Sequence, residues 1–268
     1  MRTVPVADAA AAAPRGAGPP KVKALLVGNG RPPLRAGLPS SVFADVELVV
    51  AADGGAAACE SLGLRPDLVI GDFDSADPAL IRRLIRAGVE VQQLPVEKDQ
   101  SDLELALDAA IERGADRLLV LGALGGPRVE HELAAIALLE LALERHVEMA
   151  LVDERSTLQL LAAGPSEGHR HGLPGAAAEG PAPGLTIDGR PGDYVSLFAW
   201  GSEALDVETD GLRYPLRREP MRPGPSRGLS NELTGSTASV RCRSGRLLVI
   251  HTRRSAVEPA EHQRGSEE

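Results

Sequence analysis

The sequence predicts an α/β protein in two parts: an N-terminal Rossmann-like three-layer domain with a mostly parallel sheet, followed by a C-terminal antiparallel β-sandwich. From Lys23 to about Asp153, short Leu-rich or β-branched runs alternate with helical stretches, as in βαβ units. After Glu154 the runs become short, rich in Thr and Val, and separated by Gly, Pro and Asp. That texture is typical of antiparallel strands. With 268 residues and 43% hydrophobic content, the chain can form both parts.

Six strands are predicted in the first part, because each is a continuous apolar run of the kind that helices cover on both faces. They are KALLVG (23–28), VELVVAAD (46–53), DLVIGD (67–72), VEVQQLP (89–95), RLLVLGAL (117–124) and VEMALVD (147–153). Three helices lie between them. Asp77 and Pro78 open ALIRRLIRAG as N-cap and first helical residue. Ser101 and Glu104 form a capping box that opens SDLELALDAAIERG, and VEHELAAIALLELALER is apolar on most of its circumference.

Six strands are also predicted in the second part. They are STLQLLA (156–162), GLTIDG (184–189), DYVSLFAW (193–200), ALDVETDG (204–211), STASVRCRSG (236–245) and RLLVIHT (246–252). The Gly/Pro/Ala-rich interval 164–183 has little to bury and predicts a disordered loop. We therefore expect a disordered arm over residues 1–20, an α/β domain over 21–154, a β-sandwich over 155–255 and a flexible tail over 256–268.

Composition narrows the class of ligand and the compartment. The net charge is −9 without a sustained Lys/Arg tract, so we expect neither nucleic acid nor an anionic membrane as partner. Cys59 and Cys242 have no metal-site spacing, which fits a reducing cytoplasm. Apolar runs fall short of the roughly 18 residues of a spanning helix, and the N-terminus lacks a signal-peptide core. We expect a soluble cytoplasmic protein that binds a small ligand.

Carboxylates follow three of the predicted strands. Asp53 follows the second strand, Asp72 and Asp74 follow the third, and Asp99 and Asp102 come a few residues after the fourth. Ligands of open α/β sheets bind at the carboxyl ends of the strands. In an extended segment alternate residues point the same way, so the D-x-D pair can converge on one cation. Magnesium takes one or two carboxylates and accepts phosphate oxygens at its other positions.

Two other interpretations of these carboxylates remain open at this point. A single aspartate after a strand is usually a turn or cap residue. Paired carboxylates also perform acid–base chemistry on sugars, but that chemistry needs a pKa raised by apolar or aromatic surroundings. Aromatic residues make up only 2% of this chain, which favours the magnesium and phosphate interpretation.

Three glycine-rich turns follow predicted strands and can bring backbone N–H groups close to phosphates. They are VGNG (27–30), ADGG (52–55) and GALGGPR (122–128), and none matches a Walker P-loop or the full dinucleotide fingerprint. Their candidate phosphate-binding residues are Gly28, Asn29, Gly54, Gly125 and Gly126. Lys98 and Arg128 can neutralise phosphate charge, with a solvated surface side chain as the alternative for each. A histidine such as His131 is more often a capping or core residue than a catalyst. The residues alone thus predict magnesium-dependent phosphate or nucleotide chemistry.

Seven motifs in order resemble the thiamine pyrophosphokinase (thiamine diphosphokinase) family. They are ADGG (52–55), PDLVIGDFDS (66–75), EKDQSDLELAL (97–107), GALGGPRVEH (122–131), VSLFAW (195–200), TDGLRYPL (209–216) and GLSNE (228–232). The resemblance implies transfer of the β,γ-diphosphate of ATP to the hydroxyethyl oxygen of thiamine, giving AMP and thiamine diphosphate. It also implies a homodimer whose active sites lie between the α/β domain of one subunit and the β-domain of the other.

The resemblance assigns roles to the five aspartates. Asp72, Asp74 and Asp102 would hold Mg²⁺, while Asp53 and Asp99 would support the metal or orient the hydroxyl. In-line attack on the β-phosphorus needs such residues to hold the nucleophile and leaving group.

The resemblance also implies a thiamine site in the second part. Tyr214 would stack on the ring of the vitamin, and Ser230 and Asn231 would bind the aminopyrimidine. An ordinary strand aromatic and an ordinary turn are the alternatives for these residues. The remaining phosphate contacts implied are Lys98, Arg128 and His131.

The chain departs from the G-G-R-x-D-H pattern of the family. Pro127 is inserted and Glu130 replaces aspartate, while Ala57 and Ala135 stand where asparagines are common. One alternative is a diphosphokinase acting on another alcohol such as a hydroxymethylpterin, which GLRYPL and GLSNE oppose. A second alternative is a catalytically inactive thiamine- or nucleotide-binding regulator, and the altered segment 125–135 is its only support. A calcium-binding structural module would require a dense ligand loop, which the sequence lacks.

Overall fold

The structure is a computed structural model that describes residues 22–74, 76–163 and 184–254. The predicted arm 1–20, the predicted loop 164–183 and the predicted tail 256–268 lie outside the described residues. Among the described residues, no helix combines the length and apolar character needed to cross a membrane.

The first part contains all six predicted strands and all three predicted helices. In chain order the elements are β1 (Val22–Val27), β2 (Leu48–Ala52), α1 (Gly55–Ser61), β3 (Leu68–Gly71), α2 (Pro78–Arg86), β4 (Glu90–Gln93), α3 (Asp102–Glu112), β5 (Ala115–Leu121), α4 (Val129–Glu144) and β6 (Glu148–Val152). Asp77 caps α2 by accepting from the Ala79 N–H at 2.8 Å. Ser101 caps α3 through the Glu104 N–H at 3.2 Å, but the Glu104 carboxylate accepts from Gln100 instead of closing the predicted capping box.

The described residues of the second part, 156–163 and 184–254, form eight strands, two more than predicted. They are β7 (Ser156–Ala163), β8 (Gly184–Asp188), β9 (Tyr194–Ala199), β10 (Ala204–Asp210), β11 (Arg217–Met221), β12 (Asn231–Glu232), β13 (Thr237–Arg241) and β14 (Gly245–Thr252). The additional strands are β11, an edge strand that contains a proline, and β12, which has two residues.

One ten-stranded sheet runs through both parts in the order β12-β9-β14-β7-β6-β5-β1-β2-β3-β4. Strands β6 to β4 in that order are parallel, and β7, β14, β9 and β12 continue the sheet in antiparallel pairs. A four-stranded antiparallel sheet, β11-β10-β13-β8, provides the second layer of the sandwich. The predicted fold class is therefore confirmed, with the added finding that the sandwich shares a sheet with the α/β part.

Three hydrophobic clusters correspond to these layers. One lies between the sheet and helices α3 and α4, and a second lies on the opposite face against α1 and α2. The third fills the space between the two sheets, with Val195, Val207, Val240 and Leu247 fully buried. Helices thus cover both faces of the parallel strands, which explains why the inner strands are mostly apolar, whereas the edge strand β4 (EVQQ) is only partly buried. The carboxyl ends of the parallel strands are left to form a site.

Candidate active site

A pocket of about 460 Å³ lies at the carboxyl ends of the parallel strands. The turns after β1, β2, β3 and β5 and the first turns of α3 and α4 surround it. The predicted site residues that line it are Gly28, Asn29, Asp53, Asp72, Asp74, Lys98, Asp102, Gly126, Arg128 and His131. The topology of a parallel sheet brings them together, because all of these strand ends meet at one edge.

Three carboxylates converge in this pocket. One oxygen each of Asp53, Asp72 and Asp74 lies within 4.8 Å of the others. The convergence of the D-x-D pair was predicted, but the expected extended backbone was not found. Phe73 adopts a left-handed conformation with φ of 60°, and the Asp74 N–H donates to Asp72 Oδ1 at 3.2 Å. The segment is a tight turn that folds both carboxylates toward Asp53, which is itself buried and left-handed with φ of 47°.

Lys98 links Asp102 to this group. Its ammonium lies 3.0 Å from Asp72 Oδ2 and 3.1 Å from Asp102 Oδ1. Asp102, which was predicted as a metal ligand, is not one of the three converging carboxylates, and its role at the metal stays a prediction. The lysine places a positive charge between two acidic side chains at the first turn of α3.

The pKa values of these three groups are perturbed in different directions. Hydrogen bonding from Lys98 lowers the pKa of Asp72. Burial raises the pKa of Asp102 despite the opposing effect of Lys98. For Lys98, burial favours the neutral amine, but the two carboxylates outweigh it and the net pKa is raised. Lys98 is therefore a firmly charged ammonium.

Asn29 and Gly54 act together on Asp53. The Asn29 Nδ2 donates to Asp53 Oδ2 at 3.3 Å. A Cβ atom at Gly54 would lie 2.1 Å from Asn29 Oδ1, so the amide packs directly over the glycine. Gly54 does not line the pocket, and its predicted phosphate contact has no direct support in the geometry. Its effect is to leave room for Asn29.

The glycine turns after β1 and β5 are locked to each other. The Gly28 N–H donates to the Leu121 carbonyl at 2.8 Å, and the Gly30 N–H donates to the Gly122 carbonyl at 2.7 Å. Gly122 has φ of 66°, and a Cβ there would lie 2.6 Å from the Gly28 carbonyl oxygen. No side chain fits between the turns, so the rim of the pocket needs glycine on both sides.

The turn that leads into α4 presents its side chains at the rim. Arg128 is exposed, and its Nε binds Glu130 Oε1 at 2.7 Å. This hydrogen bond lowers the pKa of Glu130. His131 is exposed and lines the pocket, whereas Gly125 does not line it and donates its N–H to Glu132 Oε2 at 3.1 Å. The glutamate that departs from the family pattern is thus the partner of Arg128.

Sequence reasoning gave no site role to several side chains that line the pocket, among them Gln100 and Glu132, and it assigned a role to Asp99, which does not line the pocket. Gln100 donates to Glu104 and to Asp108, at 3.1 and 3.0 Å, and so ties the loop before α3 to that helix. Glu132 supports the glycine turn described above. Gln100 lies inside the EKDQSD motif, and its position there is the sequence signal that could have identified it as a site residue. Asp99 is exposed and outside the pocket lining.

The predicted thiamine-binding residues lie elsewhere in the fold. Asn231 begins β12, Ser230 precedes it, and Tyr214 lies in the connection between β10 and β11. The Tyr214 side chain is 55% exposed. No residue of the described second part lines the α/β pocket, since the lining ends at Leu138.

Comparison with family models matches both parts of the chain. Residues 40–151 match the model described as thiamin pyrophosphokinase, catalytic domain. Residues 185–247 match the model described as thiamin pyrophosphokinase, vitamin B1 binding domain.

Whole proteins match as well. Thiamine pyrophosphokinase of Bacillus subtilis (strain 168) is 27% identical over 205 residues, covering 76% of this chain and 87% of the relative. The crystal structure of thiamine pyrophosphokinase from Bacillus subtilis superposes with a TM-score of 0.70 at 25% identity, over 87% of this chain and 100% of that one. The corresponding structure from Geobacillus thermodenitrificans gives 0.68 at 27% identity, over 88% and 100%. Since both domains and whole members match, this chain belongs to the thiamine pyrophosphokinase family.

Proposed function

We propose that the α/β pocket carries the reaction of the family. The chain is a thiamine diphosphokinase, an enzyme that transfers the β,γ-diphosphate of ATP to the hydroxyethyl oxygen of thiamine and leaves AMP. The observation that supports this pocket as the reaction site is the convergence of the Asp53, Asp72 and Asp74 carboxylates within 4.8 Å. Like charges at that separation repel unless a cation joins them.

The donor set fits Mg²⁺, a hard cation that prefers oxygen ligands. Asp72 and Asp74 would hold it, with Asp53 as the third carboxylate and Asp102 beside them through Lys98. Bound Mg²⁺ neutralises the charge that develops on the transferred group and the leaving AMP.

The remaining residues would bind and orient the two substrates. The glycine turns at Gly28 and Gly126 line the pocket and let the triphosphate approach the backbone closely, although the Gly28 N–H itself is bonded to the Leu121 carbonyl. Arg128 and His131 stand at the rim, where they would contact phosphate oxygens. Lys98 supplies a fixed positive charge inside the pocket. For Asp99, support of the metal or orientation of the hydroxyl stays a prediction.

We also propose a homodimer with shared active sites, because within one chain the α/β pocket and the predicted thiamine-binding residues lie far apart. In the ten-stranded sheet β12 is the first strand and β3 the ninth. At about 4.8 Å per strand, Asn231 on β12 and Asp72 after β3 are about 38 Å apart along the sheet. That distance is several times the length of a thiamine molecule. A second copy would bring its thiamine region to the pocket.

Subunit complementation tests the shared site. Asp72→Asn damages one half of each site and Tyr214→Ala the other. Refolding the two variants together should restore about a quarter of the wild-type sites, because half of the random dimers are mixed and each has one intact site. Activity that stays at the level of the separate variants would exclude sharing, as would full activity of a monomer in light scattering.

The reaction itself is tested by following AMP and thiamine diphosphate together by mass spectrometry, with thiamine, ATP and Mg²⁺. Equal amounts of both products, abolished by EDTA, are expected. Asp72→Asn should lower kcat/KM by about a hundredfold or more, because it removes a carboxylate from the reacting centre. Asp188→Asn, at an exposed position at the end of β8, is the matched control and should leave kcat/KM unchanged. Thiamine binding without turnover would instead favour the inactive regulator, and products from a hydroxymethylpterin would favour the other alcohol.

A cytoplasmic location belongs to the same proposal. Both cysteines, Cys59 and Cys242, are free and buried. Burial raises the pKa of Cys59 to about 12 and that of Cys242 to about 11, so neither is a reactive thiolate. Free thiols fit a reducing compartment.

A further inference from the structure

The side chain of Asn231 makes three hydrogen bonds inside the protein. It is 8% exposed at the start of β12. Its Oδ1 accepts from the backbone N–H of Tyr214 at 3.0 Å and from that of Glu232 at 2.9 Å. Its Nδ2 donates to the Tyr214 carbonyl at 2.7 Å. One amide therefore binds both backbone polar groups of Tyr214, as a neighbouring strand would do.

The surrounding contacts hold the same segment. The Arg213 N–H donates to the Glu232 carbonyl at 2.9 Å, and Leu212 forms an isolated bridge with Leu233. The Tyr214 backbone is therefore fixed against β12 although 55% of the residue is exposed.

The ring of Tyr214 is also restrained. The Arg213 guanidinium lies over it at 5.5 Å from the centroid. The same guanidinium pairs with Glu232 Oε2 at 3.1 Å. Asn231 and its neighbour Glu232 thus act on the backbone and on the ring, respectively. An exposed aromatic that is held in this way loses little freedom when a flat ligand stacks on it.

The hydrogen-bonding capacity of Asn231 is nearly exhausted. A carboxamide has two acceptor lone pairs and two N–H donors. Both lone pairs and one N–H are occupied by the contacts above. Direct binding of an aminopyrimidine as both acceptor and donor would break contacts that are buried, which is costly.

We infer that Asn231 is a positioning residue: it fixes the backbone of Tyr214 so that the exposed ring is presented to thiamine, and it does not bind the aminopyrimidine itself. This inference rests on the proposed function, because it takes thiamine as the ligand of Tyr214. The family resemblance implies direct contact between Asn231 and the aminopyrimidine, whereas here Asn231 acts on thiamine indirectly, through Tyr214.

A double-mutant cycle on thiamine affinity tests the inference. Calorimetry gives the Kd of thiamine for the wild type, Tyr214→Ala, Asn231→Ala and the double variant. Loss of the stacking ring should weaken binding about tenfold, and Asn231→Ala should do the same by freeing the ring. The double variant should bind within about twofold of Tyr214→Ala, since Asn231 acts through a ring that is no longer there. Losses that multiply to about a hundredfold would overturn the inference, as would full affinity in either single variant.

Two further variants separate positioning from loss of folding. Asn231→Asp keeps the size and both acceptor contacts but places a carboxylate oxygen against the Tyr214 carbonyl. It should weaken thiamine binding while lowering the melting temperature by no more than the control described next, and it replaces Asn231→Ala in the cycle if that variant does not fold. Thr209→Val is the matched control, because Thr209 is buried and its Oγ1 accepts from the Leu216 N–H at 2.8 Å in the same connection. It should lower the melting temperature while keeping thiamine affinity within about twofold. A tenfold loss there would show general loosening and overturn the inference.

The outcome for the wild type distinguishes the two levels of the proposal. Wild-type protein that binds no thiamine would refute the proposed function and this inference together. Wild-type binding with multiplied losses in the cycle would refute the positioning role alone and leave the proposed function intact.

Discussion

Replacement of Gly54 by alanine is expected to disturb the three converging carboxylates without contacting them. Gly54 has an ordinary helical φ of −59°, so alanine fits the backbone. The new Cβ would lie 2.1 Å from Asn29 Oδ1, and the amide must retreat by about 1.3 Å to reach ordinary contact at 3.4 Å. The hydrogen bond from Asn29 to Asp53 is already 3.3 Å long and would be lost.

The size of the effect follows from that one bond. A hydrogen bond to a charged group contributes about 1.5 to 3 kcal/mol, and a long bond from an exposed donor contributes about 1 kcal/mol. The Mg²⁺ concentration for half-maximal activity should therefore rise about fivefold, while the free energy of unfolding changes by less than about 1 kcal/mol. Asn29→Ala should give the same increase, and the double variant should give no more.

Gly235→Ala is the matched control, because a Cβ there meets nothing within 4 Å. The assay is initial rate against Mg²⁺ concentration at saturating ATP and thiamine. An unchanged Mg²⁺ dependence in Gly54→Ala would refute the reasoning. An increase in the Mg²⁺ requirement of Gly54→Ala that Asn29→Ala does not reproduce would also refute it, since the glycine would then not act on the site through Asn29.

Three further changes have expected outcomes. Gly122→Ala should lower the melting temperature by about 5 to 10 °C, because its Cβ would lie 2.6 Å from a backbone atom. Gly63 also has a positive φ, but a Cβ there meets nothing within 4 Å, so Gly63→Ala should cost only about 1 kcal/mol of stability. Equal losses of stability in the two variants would contradict this reasoning. Asp193 is buried, and backbone N–H donors overcome the effect of burial and lower its pKa. The stabilisation by Asp193 is therefore complete above about pH 4 and is lost as the pH falls through its pKa in the folded protein. In urea titrations, the free energies of unfolding of Asp193→Asn and the wild type should converge in acid. A difference that does not depend on pH would contradict the linkage. Glu130→Gln should lower KM for ATP about twofold by releasing Arg128, and a raised KM would show that the ion pair helps binding.

Most of the fold was predictable because most parallel strands are apolar runs and helices α2 and α3 begin at side-chain caps. Helix α1, which begins after Gly54 without a side-chain cap, was not predicted. Asp77 and Ser101 cap their helices as the sequence indicates. The two strands that were not predicted lack such signals: β11 contains charged residues and Pro220, and β12 is too short for any periodicity. The shared sheet was also missed: β6 and β7 pair as a hairpin across residues 153–155, where the change of sequence texture after Glu154 indicated a boundary between two separate parts.

The position of the site was predictable for a topological reason, since parallel strands end at one edge of the sheet. Its details depend on contacts between residues distant in sequence. The packing of Asn29 over Gly54 and the binding of Tyr214 by Asn231 each join separate turns. The left-handed conformation of Phe73 was not foreseen either, because bulky residues rarely adopt it and no local motif announces it.

The position of β14 has a consequence for biosynthesis. This strand, the last of those described, lies between β7 and β9 as the third strand of the long sheet. While the ribosome is still making the second part, β7 presents a row of unpaired backbone groups that only residues 245–252 will cover. The nascent chain is therefore open to misassociation until residues 245–252 have been made, and a stop codon before β14 would leave β7 and β9 each with an unpaired edge.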